Sequence, residues 1–218
     1  MVEGSAWLRF RRQLGWLGSG MLPSRRTLVL PLLILATAMP AAEKKPTMVW
    51  DGDGANVGAG WAKSGGDKPA AFTVEAGDAA SKNVARLHAE GDHWVRAGWR
   101  WVKSDSKVGF NAKPFAAFCF AIKGDKVQTM PTDIKVILVA CAADGTRSEG
   151  PEVSLATAAP KALGGGKAWF QVVLPVKDLT AAKDFDATNI TEVMFVATGG
   201  KGIDADLLID NIGFIKGK

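Results

Sequence analysis

The two histidines are the first candidates for catalysis. His88 and His93 lie five residues apart, whereas the paired histidines of zinc proteases lie four residues apart on one helix. The sequence contains no Gly-x-Ser-x-Gly, no Walker A and no strand-to-helix Gly-x-Gly-x-x-Gly motif. Most aspartates and glutamates fall in turns, although two carboxylates facing each other in a cleft would allow glycoside hydrolysis. The sequence therefore favours a protein that is not an enzyme.

The segment Asp51-Gly52-Asp53-Gly54 is similar to the start of a calcium-binding loop. The third oxygen ligand and the closing bidentate glutamate of such a loop are missing, so the segment by itself is an incomplete site. Aspartates are also common in turns, where their side chains bond the following backbone. A metal site and a simple turn are both open interpretations of these residues.

Aromatic and cationic side chains are concentrated in the segment WVRAGWRWV at 94–102. Alternation along a strand places Trp94, Arg96 and Arg100 on one face, which we expect to point outward. An exposed indole with neighbouring guanidinium groups suits a ligand that has an apolar face and several hydroxyls. Trp61, in a Gly-rich segment, is a further candidate. The alternative is that Trp94 closes one end of the fold while the arginines solvate an outer sheet.

The elements that position these residues are predicted to be strands. After Met48 the apolar residues occur in short runs, rich in Val, Ile, Phe and Trp and separated by Gly, Pro, Asp and Lys. No later stretch sustains an apolar stripe at helical spacing for three turns. The absence of intervening helices indicates an all-β fold, an antiparallel sandwich or barrel. The predicted strands are Ala71–Ala76, Val84–Ala89, Trp94–Val102, Phe115–Ile122, Ile134–Ala142, Trp169–Pro175, Glu192–Ala197 and Leu207–Ile215.

Side-chain alternation also assigns the faces of these strands. Trp99 and Trp101 share the apolar face of their strand and are predicted to enter the core. Phe118 and Phe120 occupy the bulky face of theirs and are predicted to do the same. Both faces of Ile134–Ala142 are almost entirely apolar, which predicts a central strand that is covered on both sides.

The N-terminal segment has the parts of a secretory signal peptide. Arg25 and Arg26 precede the apolar run 28–38, and small residues follow it. The run is shorter than the roughly 20 residues that cross a bilayer, so we expect no stable membrane span after processing. We predict a leader over 1–42, with its true start at Met1 or Met21, and a single domain over 43–218. General secretion is favoured over twin-arginine export, and an uncleaved anchor or a buried strand are the alternatives.

Removal of this leader changes the charge of the protein. The full chain has a formal net charge of +5, but residues 1–42 contain five arginines and one glutamate. The remaining 22 basic and 21 acidic residues give a net charge of +1. Binding to a nucleic acid requires a clustered excess of positive charge. We therefore predict no nucleic-acid partner.

Five segments occur in a recognisable order. They are WVRAGWRWV (94–102), FAAFCFAIKGD (115–125), DIKVILVACAADG (133–145), WFQVVLPVKDL (169–179) and LLIDNIGFI (207–215). Together they resemble the galactose-binding-like jelly-roll domains, typified by carbohydrate-binding modules of secreted glycosidases. The resemblance implies an antiparallel jelly-roll β-sandwich and a secreted, non-catalytic domain that binds a polysaccharide or oligosaccharide on one face. The ligand-binding candidates are then Trp61, Trp94, Arg96 and Arg100.

The resemblance also implies one structural calcium ion. Such jelly rolls often hold calcium between an acidic residue near the first strand and the aspartate of the last strand. Asp51 or Asp53, together with Asp210, match that arrangement in this chain. The alternative is that Asp210 caps a sheet edge while the other two shape a turn.

A second function class stays open. Domains of this fold also occur in proteins that bind other proteins, because a fold does not determine a function. The alternative is therefore a structural or protein-interaction domain of the cell envelope, exported to the periplasm, the cell surface or the medium, with no sugar site and with other envelope proteins as partners. Exposure of Trp61 and Trp94 on one face would favour the carbohydrate-binding class.

The two cysteines have two possible states. If the strands containing Cys119 and Cys141 pair directly, the residues are too far out of register for the Cα separation of about 4.4–6.8 Å in a disulfide. If those strands lie in opposite sheets, a bridge across the core becomes possible. Exported proteins often contain oxidised cysteine pairs, so the sequence leaves both states open.

Overall fold

The computed structural model describes residues 45–53, 58–77, 82–102, 108–129, 131–163, 168–199 and 202–217. The predicted leader, its export signal and the candidate start at Met21 lie outside the described residues. Two α-helices of a single turn each, α1 (Leu155–Ala158) and α2 (Val176–Leu179), are accompanied by the 3₁₀ turns Gly65–Asp67 and Pro160–Leu163. Within the described part of the chain, no helix is long and apolar enough to cross a membrane.

The rest of the described chain is built from β-strands. Short apolar runs bounded by turn residues form most of the longer ones, as expected from their composition. The strands are β1 (Thr47–Trp50), β2 (Ala59–Ser64), β3 (Ala70–Ala76), β4 (Asn83–Gly91), β5 (Trp94–Arg100), β6 (Phe115–Thr129), β7 (Asp133–Cys141), β8 (Arg147–Glu149), β9 (Val153–Ser154), β10 (Phe170–Pro175), β11 (Ile190–Thr198) and β12 (Ile203–Lys216).

These strands form two antiparallel sheets. The back sheet has the order β10-β6-β12-β4-β3, and β1 pairs with the end of β12. The front sheet has the order β2-β5-β11-β7-β8, and β9 also pairs with β7. Consecutive strands such as β6 and β7 lie in different sheets, so the chain repeatedly crosses from one layer to the other. The fold is the predicted antiparallel jelly-roll β-sandwich.

The core lies between the two sheets and is rich in aromatic rings. The ring of Trp99 lies 4.8 Å from that of Trp50 and 5.0 Å from that of Phe72. Phe118 and Phe120 are fully buried, which confirms the faces predicted from alternation. Because burial of one large apolar side chain contributes about 1.5–3 kcal/mol, this cluster stabilises the sandwich without any covalent cross-link.

All eight predicted strands are present, and four short or flanking strands were not predicted. β1, β8 and β9 contain four residues or fewer, too few to show alternation. β2 reads AGWAKS, a sequence with little of the branched and aromatic content that indicates a strand. β7 is covered on both faces, as predicted, with Leu138 in the main core and Ile137 in a second apolar cluster.

The cysteines lie in opposite sheets, yet they do not form a disulfide. Cys119 is in β6 and Cys141 is at the end of β7, and both thiols are free. In β6, Phe118 faces the core and Cys119 is the next residue, so Cys119 faces outward. In β7, Leu138 and Ala140 face the core and Cys141 is the next residue, so Cys141 also faces outward. The two thiols therefore point away from each other. Burial raises the pKa of Cys119 to about 11. Of the two states that the sequence left open, the structure has the free thiols, because side-chain direction opposes a bridge across the core.

Candidate ligand-binding groove

One cavity on the outer face of the front sheet brings together three of the four predicted binding residues. Pairing of β2 with β5 places Trp61 beside Gly98 and Lys63 beside Arg96. Trp94 begins β5, and this residue is 42% exposed. The cavity has a volume of about 290 Å³ and is called the groove below. Its lining residues are Trp61, Lys63, Trp94, Arg96, Arg147, Glu149 and Met194.

The floor of the groove is apolar. Ile137, Val139 and Met194 form a buried cluster separate from the main core, and Trp61 and Val196 pack against it. The cluster exists because β7 and β11 carry apolar residues on both faces, one facing the core and the other facing the groove. The groove therefore offers an apolar surface between charged side chains.

Trp61 is held flat against the backbone of β5. A Cβ atom added at Gly98 would lie 2.4 Å from Nε1 of Trp61, so the indole occupies the space that a side chain would need. The Trp61 Nε1–H donates a hydrogen bond of 2.7 Å to Oε1 of Glu192. Close packing and this bond together fix the orientation of the ring.

Glu192 lies beneath the groove and is completely buried. Its Oε2 accepts a hydrogen bond from Arg147 at 2.6 Å and longer ones from Arg100 at 3.3 and 3.4 Å. A buried carboxylate needs such partners because it has lost its hydration. Arg100 is therefore placed under the groove, on Glu192, and is not among the residues that line the cavity.

Arg96 forms an ion pair that extends across the groove. Its Nη2 lies 2.5 and 2.6 Å from the two carboxylate oxygens of Glu149. Arg96 is in β5 and Glu149 in β8, and the two floor strands β11 and β7 lie between them. The two side chains are 39% and 49% exposed, so the pair is accessible to solvent.

Sequence reasoning did not identify the remaining groove residues. Lys63 lies two residues after Trp61 on the same face of β2, a signal that required β2 to be recognised as a strand. Glu192 is the one charged residue of the strand ITEVMFVAT, and this could have marked it. Arg147 and Glu149 belong to a strand of three residues, and nothing in the sequence relates them to Trp61.

The acidic residues predicted to bind calcium lie near the pairing of β1 with β12. β1 pairs with β12 so that Trp50 is opposite Ile212, and Asp51 directly follows β1. Asp210 precedes the pairing residues of β12, is buried and accepts a hydrogen bond of 2.7 Å from the Asn211 amide. The strand pairing therefore brings the segment of Asp51 towards that of Asp210.

These residues do not assemble a complete set of side-chain ligands. Asp53 Oδ1 accepts the Lys82 amide at 2.8 Å, and Asp51 Oδ1 accepts the Asp53 amide at 3.2 Å, a pattern typical of a turn. Among the described residues, no three His, Cys, Asp or Glu side chains are grouped to hold a metal ion. A calcium ion here would need main-chain carbonyls and water as further ligands.

A separate charged cluster lies on the outer face of the back sheet. Arg86 donates to Asp206 at 2.9 Å and to Glu75 at 2.7 Å, and Nδ1 of His88 lies 2.7 Å from Asp206. Burial opposes ionisation of Asp206, but hydrogen bonds from Arg86 and His88 outweigh it, so the pKa of this carboxyl is lowered. The cluster links β3, β4 and β12 and contributes to the stability of the sheet.

The fold is similar to that of known carbohydrate-binding modules. No protein-family model and no curated protein matches the chain. The family 11 carbohydrate-binding module of a cellulosomal cellulase of Clostridium thermocellum has a TM-score of 0.52 and 14% identity, over 81% of this chain and 97% of that module. A family 30 carbohydrate-binding module has a TM-score of 0.53 and 14% identity, over 81% of this chain and 86% of the module.

A further structure shows such a module with a ligand. The family 11 module from Clostridium thermocellum in complex with a β-1,3-1,4-mixed-linked tetrasaccharide has a TM-score of 0.50 and 14% identity, over 81% of this chain and 98% of that module. At these identities the likeness establishes the fold alone. It confirms the jelly-roll resemblance expected from the five sequence segments.

Proposed function

We propose that this chain is an exported, non-catalytic carbohydrate-binding domain that binds a polysaccharide or oligosaccharide in the groove of the front sheet. The observation that supports it is that Trp61 and Trp94 line one cavity together with cationic side chains. Indole faces bind the C–H faces of pyranose rings, and a few polar groups then orient the ligand. The similar fold of modules named for carbohydrate binding agrees with this proposal.

Binding in this groove is a reversible equilibrium in which no covalent bond is made or broken. Trp94 is exposed and can stack on one sugar unit, while Trp61 is already held in place by Glu192. Because Trp61 is pre-oriented, little conformational freedom is lost when a ligand binds to it. The guanidinium group of Arg147 and the Nζ of Lys63 supply donors for sugar hydroxyls at the margin.

The experiment is affinity electrophoresis of the purified protein through gels that contain soluble polysaccharides, with and without calcium. We expect retardation by at least one glycan. Trp94→Ala should weaken that binding about tenfold or more, because the exposed ring supplies much of the contact area. Circular dichroism should show an unchanged fold, since Trp94 lies outside the core.

Trp169→Ala is the matched control. Trp169 lies beside Lys123, next to β10 of the back sheet, and does not line the groove. Its removal should leave retardation unchanged. If the folded protein binds no glycan in the panel, the chain is better explained as a structural or protein-interaction domain of the cell envelope.

A further inference from the structure

The groove contains more positive than negative side chains. Four cationic side chains line the groove or lie directly beneath it: Lys63, Arg96, Arg100 and Arg147. Of the carboxylates that the structure describes, only two, those of Glu149 and Glu192, do the same. Residues 43–218 as a whole have a net charge of only +1. The positive excess is therefore local to the groove, where it attracts an anionic ligand.

Arg96 already binds a carboxylate in this groove. Glu149 presents both oxygens to Nη2 of Arg96, and the pair extends over the floor strands. The Nε–H of Arg96 is buried and has no hydrogen-bond partner among the described residues. The guanidinium thus holds Glu149 through one nitrogen, Nη2, whereas the strongest arginine–carboxylate pairs use two nitrogens.

We propose that the groove binds an acidic glycan, one with uronic acid units, whose carboxylate replaces that of Glu149 on Arg96. This inference rests on the proposed carbohydrate-binding function and names the ligand class of the same site. Exchange is feasible because both side chains of the pair are solvent-accessible, and exposed ion pairs contribute little to stability. The displaced Glu149 side chain regains its hydration.

The remaining contacts fit the same ligand. The carboxylate of a uronate is attached to the pyranose ring, so a sugar held at Arg96 can also stack on a nearby indole, and both tryptophans line the same cavity. Lys63 is opposite Arg96 in the β2–β5 register and is exposed. It supplies a second positive charge for the same or the next acidic unit.

The experiment compares ligands that differ only in charge. The full-length protein is titrated calorimetrically, in EDTA, with oligogalacturonate and with the methyl ester of the same oligosaccharide, and additionally with a neutral mixed-linkage glucan and with dextran sulfate. We expect the free acid to bind about tenfold or more tightly than its ester, because a hydrogen bond to a charged group is lost in the ester. Added salt should weaken binding of the acid but not binding of its ester or of the neutral glucan.

Two carboxylate variants provide the sharpest test. Glu149→Gln removes the competing carboxylate and should tighten binding of the free acid about two- to fivefold, the range expected for freeing an exposed pair. Glu152→Gln is the matched control, because Glu152 pairs with Lys135 at 2.5 Å, is similarly exposed and does not line the groove. It changes net charge equally and should leave the affinity unchanged. Arg96→Gln should abolish the preference for the acid over the ester.

The outcomes separate this inference from the proposed function. If acid, ester and neutral glucan bind equally well and Glu149→Gln has no effect, the acidic-ligand inference is wrong while carbohydrate binding stands. If Glu149→Gln weakens binding of the acid, Glu149 is itself a ligand contact and the exchange is refuted. Equal binding of dextran sulfate would contradict selectivity for carboxylates. If the folded protein binds none of the four, both proposals fail.

Discussion

A fully buried carboxylate has lost its hydration and needs hydrogen-bond donors from the protein. Glu192 has such donors in three side chains. Trp61 donates to one of its oxygens, while Arg147 and Arg100 donate to the other. The same contacts fix the positions of two residues that line the groove. Glu192 therefore contributes both to the stability of the fold and to the arrangement of the groove, although it does not itself line the cavity.

We expect Glu192→Gln to reduce the free energy of unfolding by about 1–3 kcal/mol, because the arginines would lose their shared counter-ion and the Trp61 bond would be weakened. Urea denaturation measures this loss. Glu149→Gln is the control, since it breaks only an exposed pair and should cost about 0–1 kcal/mol. Equal stabilities of the two variants would show that Glu192 has no special structural role.

Gly98 permits the contact between Trp61 and β5. A methyl group at this position would lie 2.0 Å from Glu192 Oε1 and 2.4 Å from Trp61 Nε1. We predict that Gly98→Ala destabilises the protein by about 1–3 kcal/mol, as overpacking does, and displaces Trp61 so that glycan affinity falls. Thermal melting and calorimetry measure the two effects.

Gly217→Ala is the matched control for that substitution. Its Cβ would lie 3.7 Å from Ala116, an ordinary contact distance. Stability and affinity should both stay close to those of the unmodified protein. A Gly98→Ala variant that behaves like Gly217→Ala would mean that Trp61 does not need the space above Gly98.

Strands that are long enough to alternate could be predicted from the sequence. In β5 the apolar set that contains Trp99 and the polar set that contains Arg96 occupy opposite faces, as the pattern indicates. β8 could not be predicted because three residues, Arg147–Glu149, give no periodicity. Its existence depends on pairing with β7, which is a tertiary interaction.

The sequence predicts the part of the groove that lies on β5, and it marks Trp61 of β2 only as an aromatic residue in a Gly-rich segment. Trp94 and Arg96 lie two residues apart on β5, so alternation alone places them on one face. Glu149 reaches Arg96 from a strand that is three positions away in the sheet. The order of strands in the sheet decides which side chains meet, and no local pattern in the sequence encodes that order.

The charged cluster on the back sheet predicts a dependence of stability on pH. The pKa of Asp206 is lower in the folded protein than in the unfolded chain, because hydrogen bonds from Arg86 and His88 outweigh its burial. Its stabilising effect is therefore fully present above the unfolded pKa of about 3.9 and is lost as the pH falls through the folded value. Stability should decline below about pH 4.

Asp206→Asn tests the origin of this decline. At neutral pH we expect the variant to be less stable by about 1–3 kcal/mol, and the difference should shrink on acidification because the wild-type carboxylate is then protonated. Urea denaturation across the acidic range measures both. Asp204→Asn, two residues earlier in β12, is the control and should follow the wild-type pH profile. A constant difference between Asp206→Asn and wild type at every pH would contradict the prediction.

At the scale of the whole molecule, the first and last strands pair over a short stretch. β1 has four residues, and only three of them pair with β12. Asp51 and Asp210 belong to segments that meet at this junction. A cation bound there would connect the beginning of the sandwich to its end and would therefore act on the stability of the complete fold.

If calcium binds at this junction, it stabilises the folded state in proportion to the logarithm of its concentration. At a free concentration of about 100 times the Kd, the gain is about 2.7 kcal/mol, which corresponds to a rise in Tm of about 5–10 °C for a domain of this size. The measurement is a thermal melt of EDTA-treated protein with and without added calcium.

Asp210→Asn should abolish this rise in Tm, while Asp184→Asn, in an exposed segment outside the strands, should retain it. No rise in the unmodified protein at saturating calcium would mean that Asp51 and Asp53 serve only to shape the turn that follows β1. A rise that persists in Asp210→Asn would place the ion elsewhere. Because the groove lies on the front sheet and the junction involves β12 of the back sheet, calcium should raise Tm without changing which glycans are bound.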